Sequence, residues 1–421
     1  MKVLIKQARI NCTSSPLHGQ VKDIIIIDGF IHSVDDVANE TSDVIIDKPN
    51  LHVSIGWMDI FSHFEDPGED HKESIETGAA AAAAGGFTDV LLIPNTSPSV
   101  SSSSQVSYVL QKSSMLPVTI HPMGTVTQNA DGKVLSEMYD MFAAGAKAFS
   151  DGKKSIQSPG ILLKALQYVS AINAVIIQVP DDITINANGL MNEGVMSTRL
   201  GLPGRPAIAE ELMVARDIEL LKYTGSKLHI TGISTSKSIE SVAQAKQEGL
   251  RITCSVSPYH FFFNDKDLFG YDTNLKVNPP LRSLTDMEAV RKAVKDGIID
   301  CIASHHMPQH WDDKTCEFEY AKNGMIGLET LFGAVNDDRH LDTLVQQLSI
   351  NPRHILDLDV PNFEVGEKAC LTLFDPSLEY VFDESMIKSR SKNTPFIGKT
   401  LKGKVYGIIN GSHIALNNEK S

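Results

Sequence analysis

The feature that most constrains the fold is an alternation of short apolar strands with helices, running for about 300 residues between two β-rich ends. The strands read FTDVLLIPN, PVTIHPMG, GAKAFSDG, NAVIIQVP, KLHITGIS, RITCSVSP and DCIASHHMP. Repeated strand-then-helix units predict a parallel α/β barrel rather than an open sheet. A polar helix is expected around Ser102–Gln111. The run TGAAAAAAGG at 77–86 reads as a helix of small residues ending at glycine, because small side chains let a helix lie close to the strands. The flanks differ: VLIKQARI, VKDIIIIDGFIHSV and DVIIDKP near the start, and ACLTLFDP, LKGKVYGIING and SHIAL near the end, are strands bounded by Gly, Pro and Asn. Asp28-Gly29 sits where a hairpin turn belongs.

A chain of 421 residues is long enough for such a barrel plus a smaller domain. A net charge of −14, with 42% hydrophobic and 21% charged residues, describes an acidic soluble protein ill suited to nucleic acid or anionic membranes. Small molecules or proteins are the expected partners. Cys12, Cys254, Cys301, Cys316 and Cys370 are scattered, without CxxC pairing, and read as reduced thiols of a cytoplasmic protein. The N-terminus MKVLIKQARI alternates polar and apolar residues as a strand does and lacks the apolar core of a signal peptide. No apolar run approaches the roughly 20 residues of a membrane span.

The chemistry centres on IGWMDIFSHFEDPG at 55–68, where strand alternation would project Asp59, Phe61 and His63 to one side, a face that a metal site could use. This stretch resembles the first barrel strand of the dihydroorotases, in the amidohydrolase superfamily, whose pattern is Asp-x-His-x-His-x-Arg-x-Pro-Gly. The resemblance extends to GGFTDVLLIPNTSP at 85–98, to SPYHFFFNDKDLFGYDTNLKVNPPLR at 257–282 and to GMIGLET at 324–330, in family order. It implies a (β/α)8 TIM-like barrel over 55–363, with residues 1–54 and 364–421 combining into one small β-sandwich.

In that family the two His of the first strand bind zinc and the Arg holds the substrate carboxylate. Here Phe61 replaces the first His and Glu65 the Arg, while His63, Asp66, Pro67 and Gly68 keep the register. The third family His falls at Val179 and the fourth at Gly232, although His229 persists in the same strand. The catalytic Asp of an Asp-His-x-Pro-His turn has become His305 in His305-His306-Met307-Pro308-Gln309. Asp151 falls beside the position of a metal-bridging carboxylate, with Ser150 the alternative because one residue is deleted there; Lys147 lies on the opposite strand face. Zinc needs three or four N, O or S ligands, and Phe61, Val179 and Gly232 supply none. No cofactor and no catalytic residue are therefore expected. Phe61 is expected to fill the mouth, with Val179 and Gly232 giving it contact and room.

His63, Asn95, Asp151, His260, Asn278 and His305 are the candidates for a residual pocket. Each also has a plain structural reading, as a turn, a cap, a barrel corner or a buried histidine. An alternative zinc site would join His63, Asp151 and His305, drawing on the His305, His306 and His310 cluster. Against it, adjacent residues point apart on a strand. The leading expectation is a catalytically silent homologue, with aspartate transcarbamoylase, whose structural partners such homologues are, or a second copy of the chain as partner. The competing expectation is an active cyclic amidohydrolase with a rebuilt metal site, which Glu65 opposes by repelling an acidic substrate. A third is a small-molecule sensor using the emptied mouth.

Overall fold

The computed structural model describes residues 1–38, 41–185, 188–337 and 340–417. Eight parallel strands follow one another around a ring: Trp57–Ser62, Phe87–Leu92, Thr119–Gly124, Ala148–Phe149, Ile176–Gln178, Leu228–Thr231, Ile252–Val256 and Cys301–Ile302. These are the first to eighth barrel strands below. A bridge between Ser62 and His306 brings the eighth back to the first, so the barrel is nearly closed. Helices between the strands pack their apolar stripes on the outside. The small-residue helix is Ile75–Ala84, opened by a capping box between Ser74 and Thr77, with Ala79 and Ala81–Ala83 buried against the wall.

Both chain ends build a second, eight-stranded sheet. Strands Lys2–Ile10, Val21–Ile27, Phe30–Asp35, Val44–Ile46 and His52–Ile55 join Cys370–Val381, Thr400–Asn410 and His413–Leu416. The joint is the antiparallel pairing of His52–Ile55 with Cys370–Val381. Asp28 and Gly29 form the two-residue turn between the second and third of these strands, both with positive φ (50° and 87°), as a type I′ hairpin requires. Trp57 anchors the barrel to this sheet. Its ring lies 5.3 Å from Phe374 and 4.8 Å from Phe332, and its indole N–H donates to Ser54. Burying each such ring is worth about 2–3 kcal/mol.

One connection of the terminal sheet matters for the barrel. Between Cys370–Val381 and Thr400–Asn410 the chain crosses to the ends of the first and eighth barrel strands. There Asn393 donates to the carbonyls of Met307 and Gly324 and accepts from Gln309 N–H. The backbone N–H of Arg390 and the hydroxyl of Ser389 both donate to Glu73, in the loop after the first strand. Residues 389–393 thus strap the face on which barrel chemistry is built.

Candidate functional site

The mouth of the barrel is assembled from strand C-terminal ends, and each candidate residue has a definite job there. Asp59 is fully buried and binds its own barrel: it accepts from Ser62 Oγ and from both the backbone N–H and hydroxyl of Ser304. Burial pushes its pKa up, against those donors. Register shifts between Asp59 and Ser62, and the strand ends there, so simple alternation does not carry on to His63.

His63 is buried with both ring nitrogens engaged. Nδ1 lies 2.8 Å from Glu65 Oε1 and Nε2 lies 3.0 Å from the carbonyl oxygen of Asn95. Burial and the Lys153 ammonium, 3.5 Å from Nδ1, pull the ring's pKa down, while Glu65 pulls it up. The downward pull wins, and Glu65 Oε1, although 2.8 Å away, is a buried oxygen without a well-aligned hydrogen-bond donor among the described residues. Burial alone would raise the pKa of Glu65, yet His63 and then Lys153 bring it down to about 2. Glu65 has a cation beside it, since Lys153 Nζ lies 4.0 Å from Oε1.

Asn95 buttresses the neighbouring loop, its amide donating to Asp151 O and its oxygen accepting from Lys153 N–H. Asp151 turns away from His63 and caps the chain after the third strand. Its oxygens accept from Val126 N–H, Thr127 N–H and Thr127 Oγ1 at 3.0, 2.9 and 2.5 Å. Ser150 accepts from Gly152 N–H.

His305 is the centre of the rebuilt mouth. It holds φ = 46°, a left-handed conformation uncommon for residues other than glycine, and pairs through Nε2 with Thr231 Oγ1 at 2.9 Å. Its ring stacks on Phe61 at 4.5 Å between centroids, tilted 32°. Burial, with His260 and His229 nearby, lowers its pKa to about 3, so the ring is neutral. Phe61 is 1% exposed and shares its apolar cluster with Val179, Ile60, Leu91 and Met123. Gly232 plays a different part from the expected one. A Cβ there would stand 2.8 Å from His305 Cε1, so the missing side chain makes room for His305 rather than for Phe61.

His306 points the other way, toward Glu73 at 3.3 Å and Gly327 N–H. His310 lies on the surface, its ring 5.6 Å from that of His71. His260 is fixed by Ser257 Oγ and the carbonyl of Pro280, and His229 by Thr253 and Ser255. Asn278 differs: its amide Oδ1 is buried and, like Glu65 Oε1, finds no hydrogen-bond partner among the described residues.

These contacts decide the fit of a zinc ion. The nitrogens of His63 and the oxygens of Asp151 are spent on protein groups, and His305 faces Thr231. Among the described residues no three His, Cys, Asp or Glu gather as metal ligands would. The alternative site of His63, Asp151 and His305 is not assembled, and the residues present do not fit the metal. Sequence reasoning missed Lys153, whose only signal was the Lys153-Lys154 doublet after GAKAFSDG, and the 389–393 strap, which carried none.

A family profile described as Dihydro-orotase-like matches residues 52–238. The chain is 38% identical over 413 residues to a protein named Dihydroorotase from Syntrophus aciditrophicus, covering 96% of this chain and 97% of that one. The chain belongs to the dihydroorotase family. A second dihydroorotase, from Pelotomaculum thermopropionicum, is 39% identical over 425 residues and 99% of each chain. Among solved structures, the L-hydantoinase (dihydropyrimidinase) of Arthrobacter aurescens superposes with a TM-score of 0.85 at 22% identity, covering 99% of this chain and 97% of that one, a likeness of fold. Among the described residues no helix is long and apolar enough to cross a membrane.

Proposed function

We propose that this dihydroorotase-family chain serves pyrimidine synthesis without interconverting carbamoyl aspartate and dihydroorotate, and that it acts as a structural partner of aspartate transcarbamoylase. The observation that carries the reading is the commitment of both His63 nitrogens, to Glu65 and to Asn95, beside a Phe61 ring stacked on His305. A metal ligand must offer a lone pair, and His63 would have to give up one of these contacts to do so. Proton transfer fares no better. His305, with a pKa of about 3, is a poor base near neutrality and sits where the resemblance places the family's acid–base Asp. The partner role draws support from Trp311 and Tyr320, 70% and 72% exposed on the connection after the eighth strand. Large exposed aromatics of this kind are enriched in protein interfaces.

Two measurements test this. Purified chain in zinc-supplemented buffer is expected to show no turnover of either substrate; a rate of about 1 per second or faster overturns the silent reading. Sedimentation with and without the transcarbamoylase tests the partner: a complex supports it, and a chain that only self-associates removes it. The competing reading, an active cyclic amidohydrolase, is favoured by full-length relatives at 38–39% identity named Dihydroorotase, and it requires both turnover and bound zinc.

A further inference from the structure

Away from the mouth, a cavity of about 530 Å³ opens on the seam between the barrel and the terminal sheet. It is larger than the 240 and 210 Å³ hollows elsewhere and within the range of small-molecule sites. Its walls come from the end of the small-residue helix, from the two long strands Cys370–Val381 and Thr400–Asn410, and from the turn at 383–388 between them. Phe382, Met386 and Val405 supply apolar surface.

The polar groups on this wall are unequally satisfied. Glu329 Oε1 already accepts the backbone N–H groups of Lys388 and Ser389. Asp383 Oδ1 accepts from the backbone N–H and hydroxyl of Ser385. Asn417 donates to the carbonyls of Ala84 and Val405, and two other donors stay open: among the described residues neither the Lys388 ammonium nor the Tyr380 hydroxyl has a hydrogen-bond or ion-pair partner. With one oxygen of each carboxylate engaged and two donors open, the wall suits a ligand that brings acceptors of its own, with negative charge for Lys388.

We propose that this seam binds a small amphipathic organic anion, with a flat apolar body lying on Phe382, Met386 and Val405 and its anionic group held by Lys388 and Tyr380. Such a ligand would touch the terminal sheet and the barrel together, and the turn it contacts leads directly into the 389–393 strap over the mouth. The site is distinct from the barrel mouth and does not depend on whether the barrel is silent.

The probe is 8-anilinonaphthalene-1-sulfonate, an aromatic body with one sulfonate, titrated by fluorescence into the full chain. One saturable site per chain is expected. Lys388→Glu, on the surface, should weaken binding about tenfold, and Tyr380→Phe about threefold. Ser385→Trp, at an exposed rim position, should block the cavity without touching the core. Lys237→Glu removes the same charge from a distant exposed position and should change nothing. Thermal unfolding of each variant near the parent's midpoint shows that the fold is kept. Absence of saturable binding overturns the proposal, as does affinity within twofold of the parent in both Lys388→Glu and Ser385→Trp.

Discussion

The barrel mouth and the seam cavity make an instructive pair, since both are lined by polar side chains and they differ in how many of those side chains already have partners. In the mouth, imidazoles and carboxylates are turned into structure: Asp59 ties the first strand to the eighth, Asp151 caps the third, and His63 pairs with Glu65. Asn278 is the one candidate left unpaired. At the seam, Lys388 and Tyr380 remain without partners among the described residues. Buried polar groups bonded to their own chain specify a fold, whereas open donors at a cavity wall are available to a ligand. The presence of histidines in a barrel mouth is thus a weaker sign of chemistry than the state of their nitrogens.

The largest effect should come from Phe61→Ala. Removing a ring packed on His305 and the surrounding apolar cluster should cost about 3–5 kcal/mol by denaturant unfolding. A loss under about 1 kcal/mol would mean the mouth is loosely filled and the contrast with the seam is wrong.

Next is the pH dependence carried by Glu65. Its folded pKa of about 2 lies below the ordinary 4.5, so its contribution is fully present above pH 4.5 and is lost as pH falls toward 2. At 3% side-chain exposure that contribution is about 3 kcal/mol. Glu65→Gln should therefore be less stable than the parent near pH 7, with the gap shrinking below pH 4.5. A gap that stays constant through that window would show that the His63 pair contributes nothing.

A smaller effect, about 1–3 kcal/mol, is expected for Thr231→Val, which leaves His305 Nε2 and Ser255 Oγ short of a buried partner. The smallest is Tyr380→Phe, within about 0.5 kcal/mol, because its hydroxyl bonds to nothing among the described residues. Measured together by urea unfolding, these two hydroxyl deletions sharpen the contrast. Equal losses would erase it.

Much of the frame was legible because periodicity is local. Strand alternation, the alanine helix closing at Gly85 and the Asp28-Gly29 turn each follow from neighbours in sequence. That Phe61, Val179 and Gly232 carry no donor atoms was legible too. The rearrangement around them was not. His305 enters the mouth through a left-handed backbone and takes the space above Gly232, a contact between residues far apart in the chain. Lys153 neutralises Glu65 from another strand end, and the strap at 389–393 reaches the mouth from the terminal sheet. No local pattern encodes either of these.

The most direct test of the account is the zinc content of the purified chain and of Phe61→His, measured by elemental mass spectrometry after growth in zinc-supplemented medium. If His63 is committed to Glu65 and Asn95, both proteins should carry far less than one zinc per chain, since the single replaced ligand cannot complete a set of three or four. Stoichiometric zinc in the parent, or its return in Phe61→His alone, would mean that the remaining residues already form a site, and would contradict the silent barrel.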